Sequence, residues 1–505
     1  MADNSQILQN VLERTAPELA RTINAQWWAT DQYRMRGARV DKYRRYMRGD
    51  HDAKMTANMK KALRVNANSA DRLNEFNGNY TGLVIDKESA RLSLSHMTTG
   101  TEAGDVWLND IKRRSKFDLI EGATYRGSLR DGDAYIIIDP QTLTWKSNPA
   151  YNGFDGVAVI YNTDNNIEWA CKLWAETSGE NVTGTGEEEQ ETNITMHITV
   201  YQPDRITRWL STGQGDLRVD PNHPEESWLA SAIPVIPFVN KRDNDTMYGN
   251  SEIKDVIPLQ DIYNRVLTSN VMIAELNGFK VFIVLNAKLD LSDGIMPGDV
   301  ISVYARDGSG NPILNPTQEQ IEMMRSISIT ELSPTDMTQY IALKDSIVRE
   351  ISYISNTPIY GITAQGTISG DALKQLEIGL IGKTKRFQKE NTDSWVQLIA
   401  LTHEIHQKYT PSSGQVSPPA IGEISVQWES PELRDSMAHV QTLIVLYEKT
   451  RGLFPMSFYR DQIGAALGLE QSSIDQLAEE VQQENMETMQ NLLTAGGGEG
   501  GAVVI

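Results

Sequence analysis

The spacing of apolar residues changes period several times along the chain, and each change predicts a different kind of element. Residues 7–48, including "VLERTAPELARTINAQWWATDQYRMRGARVDKYRRYMRG", read as helical. A polar turn region follows within 64–94, then a helix carrying Leu83, Val84 and Ile85. From "GDAYIIID" (132–139) to "FVNKRD" (238–243) the pattern becomes short runs rich in Ile, Val, Tyr and Trp, bounded by Gly, Asn, Asp and Pro. These predict antiparallel strands, with residues 178–193 as an exposed hairpin loop. Pro258 is suited to the first turn of a helix whose Leu259, Ile262, Val266, Ile273 and Leu276 keep one face apolar, and Asn277-Gly278 stop it. A small mixed unit (279–333), a helix at about 335–355 and a loop (356–370) come next. Ser369 can cap a very long helix that runs to about Lys408, with Asp371 in its first turn. "GEISVQWES" (422–430) is one more strand, residues 431–493 read helical, and "TAGGGEGGAVVI" reads as a disordered tail. The fold class expected is α+β in several parts.

A chain of 505 residues exceeds what one core usually holds, so about two or three structural units are expected. No run approaches the ~18 apolar residues of a membrane span, and the N-terminus lacks the basic-then-apolar pattern of a signal peptide. Cys171 is the only cysteine, which rules out a disulfide within the chain, argues against a cysteine zinc site and fits assembly in a reducing compartment. The formal net charge of −20 argues against a protein that coats nucleic acid by neutralising phosphates. It is compatible with one that lets DNA pass without sticking.

Several stretches invite a chemical reading. Gly382-Lys383-Thr384 has the ending of a phosphate-binding loop, but Glu377 stands where the first glycine belongs. Leu373, Leu376, Leu380, Phe387, Val396 and Leu398 predict one helix running through it. His403 and His406 share a helical face, yet their spacing misses the i, i+4 pair of zinc proteases and no third ligand is evident. Asp131 and Asp133 form an Asp-Gly-Asp that also suits a turn into a strand, and Cys171 sits in an apolar run. Glu187–Glu189 with Glu191 read as a solvated loop. Arg34, Arg36, Arg39, Lys42, Arg44, Arg45 and Arg48, with Tyr33, Tyr43 and Tyr46 between them, make either a nucleic-acid surface or a helix face paired with acidic neighbours; the second is the commoner case. No catalytic, cofactor or metal site emerges.

Four stretches, in order, carry a resemblance. They are "NGNYTGLVIDKESARLSL" (77–94), "RDGDAYIIID" (130–139), Ser369-Gly370-Asp371-Ala372-Leu373 with Leu380, Lys383 and Lys385, and "RGLFPMSFYRDQIG" (451–464), which departs from the usual pattern at Pro455 and Tyr459. With the order of elements they resemble the portal proteins of tailed bacteriophages, in particular the family of long-tailed phages of Gram-positive bacteria. The resemblance implies a non-enzymatic twelve-subunit ring at one capsid vertex of the virion, assembled in the host cytoplasm and without a membrane association. Double-stranded DNA would enter through it, driven by the terminase large subunit, and later leave. A head–tail adaptor, the major capsid protein and scaffolding protein would be partners.

On that template residues 1–40 are an N-terminal helical segment and 41–250 with 371–430 a wing. Residues 251–278 and 334–355 are stem helices, 279–333 a clip, 356–370 a tunnel loop, 431–495 a crown and 496–505 a tail. Thr357, Ile359, Tyr360, Thr363, Gln365, Thr367 and Ser369 would face DNA from a loop with no charged side chain. Lys254, Arg265, Lys344 and Arg349 on the stem would touch phosphates or pair between subunits with Asp261, Asp345 and Glu350. Asp290, Asp293, Asp299, Arg306 and Asn311 in the clip would dock terminase or adaptor. Alternatives are another ring-forming head–tail protein, or a nucleotide or metal hydrolase.

Overall fold

The computed structural model describes residues 4–52, 78–178, 193–278 apart from 213–215, 224 and 246, then 282–285, 313, 315, 317–331 apart from 327, 337–359, 370–409 and 417–432, with a few helical positions between 444 and 483. The chain divides into two compact units, Met1–Pro431 and Glu432–Ile505. In the second, the described residues are short helical pieces such as 444–446 and 459–460.

In the first unit the N-terminal helices are α1 (Ser5–Thr15), α2 (Pro17–Thr22), α3 (Ala25–Thr30), a π-helical turn at Asp31–Gly37 and α4 (Ala38–Met47). Breaks between them have local causes. Pro17 opens α2 at a position where a missing N–H costs nothing. Asn24 takes a left-handed conformation and its side chain accepts the Trp27 amide, capping α3. Ile7, Leu8, Val11 and Leu12 recur on one face of α1 and are buried.

What they are buried against is a sheet of β4 (Gly156–Tyr161), β5 (Ile167–Ser178), β6 (Asn193–Tyr201), β7 (Arg205–Ser211) and β8 (Leu217–Val219), all antiparallel, with β9 (Glu226–Ser227) also pairing β7. Trp169, Cys171 and Leu173 of β5 alternate inward, whereas Lys172 and Trp174 alternate outward. Trp28 meets Trp169 edge to face at 5.6 Å, and the Trp169 indole donates to Thr15 Oγ1 (3.1 Å). The helices from α1 to α3 and this sheet share one core.

A second core holds α5 (Tyr80–Ser89), β1 (Leu94–Thr98), α6 (Glu102–Ser115), α7 (Phe117–Asp131) and a sheet in the order β10 (Val235–Val239), β2 (Asp133–Ile138), β3 (Trp145–Pro149). The central β2 is buried along its whole length, as its unbroken apolar run predicts. Gly132 makes the turn from α7 into β2 with φ 93°; a Cβ there would also strike the Gly249 carbonyl.

Helices α8 (Ile257–Gly278) and α10 (Thr338–Ser355) pack on each other. Between them come β11 (Phe282–Leu285), α9 (Gln318–Arg325) and β12 (Ser328–Glu331), with β11 and β12 antiparallel. The expected strand "DVISVYA" lies outside the described residues. The apolar face expected on α8 holds in part: Leu259 and Val266 pack against the core, Ile262 is exposed, and the buried positions among the described residues are Ile257, Gln260, Tyr263, Asn264 and Asn270. Gln260 donates to the Gly78 carbonyl (2.6 Å) and accepts from the Tyr80 amide (3.0 Å). Asn264 meets His51 (2.8 Å). Hydrogen bonds that hydrophobic periodicity cannot register thus supplement the apolar contacts of this face.

The long helix α11 (Gly370–Lys408) crosses the three-stranded sheet, and β13 (Ser425–Trp428) returns to pair with β1. Leu380, Phe387 and Leu398 are buried as expected, Leu376 is exposed, and Trp395 and Ile399 complete the inward face. Trp395 packs on Phe117, Tyr125, Trp145 and Phe238, with ring centroids 4.8–6.4 Å apart. Asn391 closes the edge of β10: the Val239 amide donates to its Oδ1 (2.9 Å) and its Nδ2 donates to the Val239 carbonyl (3.1 Å).

Candidate functional site

The Gly382-Lys383-Thr384 stretch lies inside α11, so its backbone amides serve the helix and form no phosphate cradle. Glu377, at the first-glycine position, pairs with Arg91 (2.9 Å). Thr384 Oγ1 donates to the Leu380 carbonyl (2.8 Å). Lys383 is buried and its ammonium is spent within the protein. It lies 2.7 Å from Glu88 Oε2 on α5 and 3.5 Å from Glu252 Oε2, and donates to Thr357 Oγ1 (3.2 Å). The reading of Gly382-Lys383-Thr384 as a phosphate-binding loop is thereby removed.

The surrounding network is dense. Glu252 also receives Lys241 (3.0 Å), Asn240 (3.1 Å) and Arg386 (3.5 Å). Burial raises its proton affinity, but the facing lysines outweigh this and hold Glu252 below the usual carboxylate range. Glu88 goes the other way. Full burial, reinforced by the charge of Glu252 and only partly offset by Lys383, pushes its carboxyl up to about 7. Among the described residues its Oε1 meets no hydrogen-bond donor.

Thr357 joins this network to the end of α10. Its amide donates to the Ser352 carbonyl (3.1 Å), and Ser352 Oγ donates to the Thr357 carbonyl (2.6 Å). Thr357 and Ile359 are buried inside the chain, which corrects their expected place on a loop surface: they anchor the loop. Tyr360, Thr363, Gln365, Thr367 and Ser369 lie outside the described residues, as do Asp290, Asp293, Asp299, Arg306 and Asn311.

Part of the basic N-terminal stretch is consumed internally, while Arg34, Arg39 and Arg48 are exposed. Arg36 pairs with Asp133, whose other oxygen accepts the Gly249 amide (2.9 Å), and Arg36 also lies over the Tyr248 ring at 4.2 Å. Arg44 reaches Asp131 (3.3 Å) and Asp155 (3.1 Å), and Arg130 grips Asp131 at 2.6 and 2.7 Å. Asp131 and Asp133 are thus ion-pair partners. Arg45 bonds Asp52 at 2.9 Å. Pairing with acidic neighbours holds for Arg36, Lys42, Arg44 and Arg45, though Arg36 and Arg44 are buried rather than solvated.

The sequence of residues 28–487 matches the family described as phage portal protein, SPP1 Gp6-like. The chain belongs to this portal protein family. It is 22% identical over 292 residues to the portal protein of Mycobacterium phage D29, an alignment that covers 55% of this chain and 54% of the relative. The chain therefore spans about half the length of that curated relative. A solved chain from the neck of a native GTA particle is similar with a TM-score of 0.39 and 11% identity, covering 84% of this chain and 99% of that one.

No helix among the described residues is long and apolar enough to cross a membrane. Of the cations expected on the two stem helices, Lys254, Arg265 and Arg349 are exposed. Lys254 bonds Asn250 (3.3 Å) and Lys344 lies 3.6 Å from Asp345 of the same chain. Asp261 instead accepts the Tyr46 hydroxyl. Both helical histidines of the portal chain turn to Trp107: His406 Nδ1 accepts from the indole (2.9 Å), and His403 packs edge-on at 5.4 Å while bonding the Pro419 carbonyl (2.8 Å). Burial and the neighbouring His403 hold His406 below its ordinary value, so it serves as a neutral acceptor.

Proposed function

We propose that copies of this portal chain form a twelve-membered ring whose central channel admits double-stranded DNA during packaging and releases it on infection. The role is structural and needs no cofactor. The terminase large subunit drives entry, a head–tail adaptor docks after packaging, and capsid and scaffolding proteins hold the ring at the vertex. Assembly takes place in the host cytoplasm. Residues 251–278 and 334–355 serve as the stem, 279–333 as the clip, 356–370 as the tunnel loop, 41–250 with 371–430 as the wing and 431–495 as the crown.

The observation that carries this reading, beside the family, is the surface of the helix pair α8 and α10. Ile262, Ile341, Leu343, Tyr353 and Ile354 stand exposed there in the single chain. Apolar surface of that extent is what side-by-side packing of copies would cover. The net charge of −20 on each chain opposes adhesion of the phosphate backbone to the channel wall.

Electron micrographs of the purified chain are expected to show rings with a central hole. Monomers or compact dimers at micromolar concentration would overturn the reading. Deleting residues 361–368, which leaves Thr357 and Ile359 in place, is expected to preserve rings and abolish packaging in an in vitro assay. Normal packaging by that variant would remove the loop assignment.

A further inference from the structure

The buried network around Lys383 has an unusual balance. Glu88, Glu252 and Lys383 are nearly devoid of solvent contact, whereas Lys241 and Arg386 reach in from partly exposed positions and, of the two buried carboxylates, pair with Glu252. Lys383 is thus the one cation within 4 Å of Glu88 among the described residues. The same ammonium donates to Thr357 Oγ1. Four segments converge on this one group: α5 through Glu88, the approach to α8 through Glu252, the turn after α10 through Thr357, and α11 itself.

We propose that Lys383 is a positioning residue whose ammonium is shared between two buried carboxylates and the Asn356–Ile359 turn, so that the hold on the chain as it leaves α10 depends on the charge of Glu88. An ionised Glu88 draws the ammonium toward α5 and competes with Thr357. A neutral Glu88 leaves it to Thr357 and Glu252. The charged groups facing this pair are Lys241 and Arg386 at Glu252, with the Arg91–Glu377 pair further along α5 and α11. Glu88 is the member whose charge can change near neutrality, because burial and Glu252 both oppose its ionisation. The meaning for DNA passage rests on the channel reading above; the local mechanism does not.

Hydrogen exchange read by mass spectrometry on the full chain tests it. Lys383→Met is expected to speed exchange of the Asn356 and Thr357 amides by about tenfold or more, with strands β5 and β6 unchanged. Lys383→Arg should restore most of the protection. After correction for intrinsic rates, wild-type protection at these amides should fall between about pH 6 and about pH 8, and Glu88→Gln should stay protected throughout. Equal exchange in Lys383→Met and wild type, or faster exchange spread over the whole unit, would overturn the positioning role. A Glu88→Gln profile parallel to wild type would overturn the charge sharing. If Lys383→Met does not fold, Lys383→Arg and Glu88→Gln still decide. A chain that forms no rings yet shows these exchange effects would count against the channel reading alone.

Discussion

Arg36→Met is expected to destabilise the protein by about 3–5 kcal/mol, the usual cost of stranding a buried charge. Asp133 is fully buried at the start of β2, and without Arg36 it keeps, among the described residues, the Gly249 amide. The guanidinium also lies over Tyr248, so the variant loses a cation–π contact worth on the order of 1–2 kcal/mol in a desolvated setting. Adding Asp133→Asn to Arg36→Met removes the stranded charge and should recover most of the loss. Arg45→Met is the control. Its partners Asp41, Asp50 and Asp52 are partly exposed, and its loss should cost under about 1 kcal/mol. Urea unfolding curves compare the variants. An Arg36→Met midpoint no lower than that of Arg45→Met would refute the account.

Trp395→Ala should cost about 3–5 kcal/mol, because it empties the centre of the contact between α11 and the three-stranded sheet. Trp395→Phe separates volume from polarity. It keeps an aromatic ring among Phe117, Trp145 and Phe238 but loses the indole donor to Tyr125 Oη (3.0 Å). The cost should fall to about 1–2 kcal/mol, since the Tyr125 hydroxyl still donates to Glu121 (3.0 Å). Similar midpoints for the two variants would mean that the hydrogen bond, and not packing, holds α11 in place.

The elements that sequence reading recovered are those whose signal is local. The unbroken run in β2, the strands from β4 to β7 and the long span of α11 follow from period and punctuation within a few residues. Ion pairs are different. Nothing adjacent to Lys383 announces Glu88 or Glu252, and on a helix each looks like an ordinary solvated charge. The same blindness applies to α8, whose buried Gln260 and Asn264 are matched by residues far along the chain. Trp395 was missed because it sits among polar neighbours in "NTDSWVQ". For Thr357 the absence of charge in its loop was legible, but its anchoring partners Ser352 and Lys383 came from two different helices. The motif around Lys383 pointed to a lysine that is buried and paired within the fold, not to a phosphate cradle.

The single cysteine of the chain, Cys171, is packed in the core of the six-stranded sheet, where burial pushes its thiol well up and keeps it unreactive. The natural protein is therefore already a silent background for thiol chemistry. A maleimide dye or a cross-linker will report on whichever cysteine is introduced, without first stripping native ones. Two cysteines placed across the exposed faces of α8 and α10 could then be joined under oxidation, and the ladder of linked products would count neighbouring copies directly in solution.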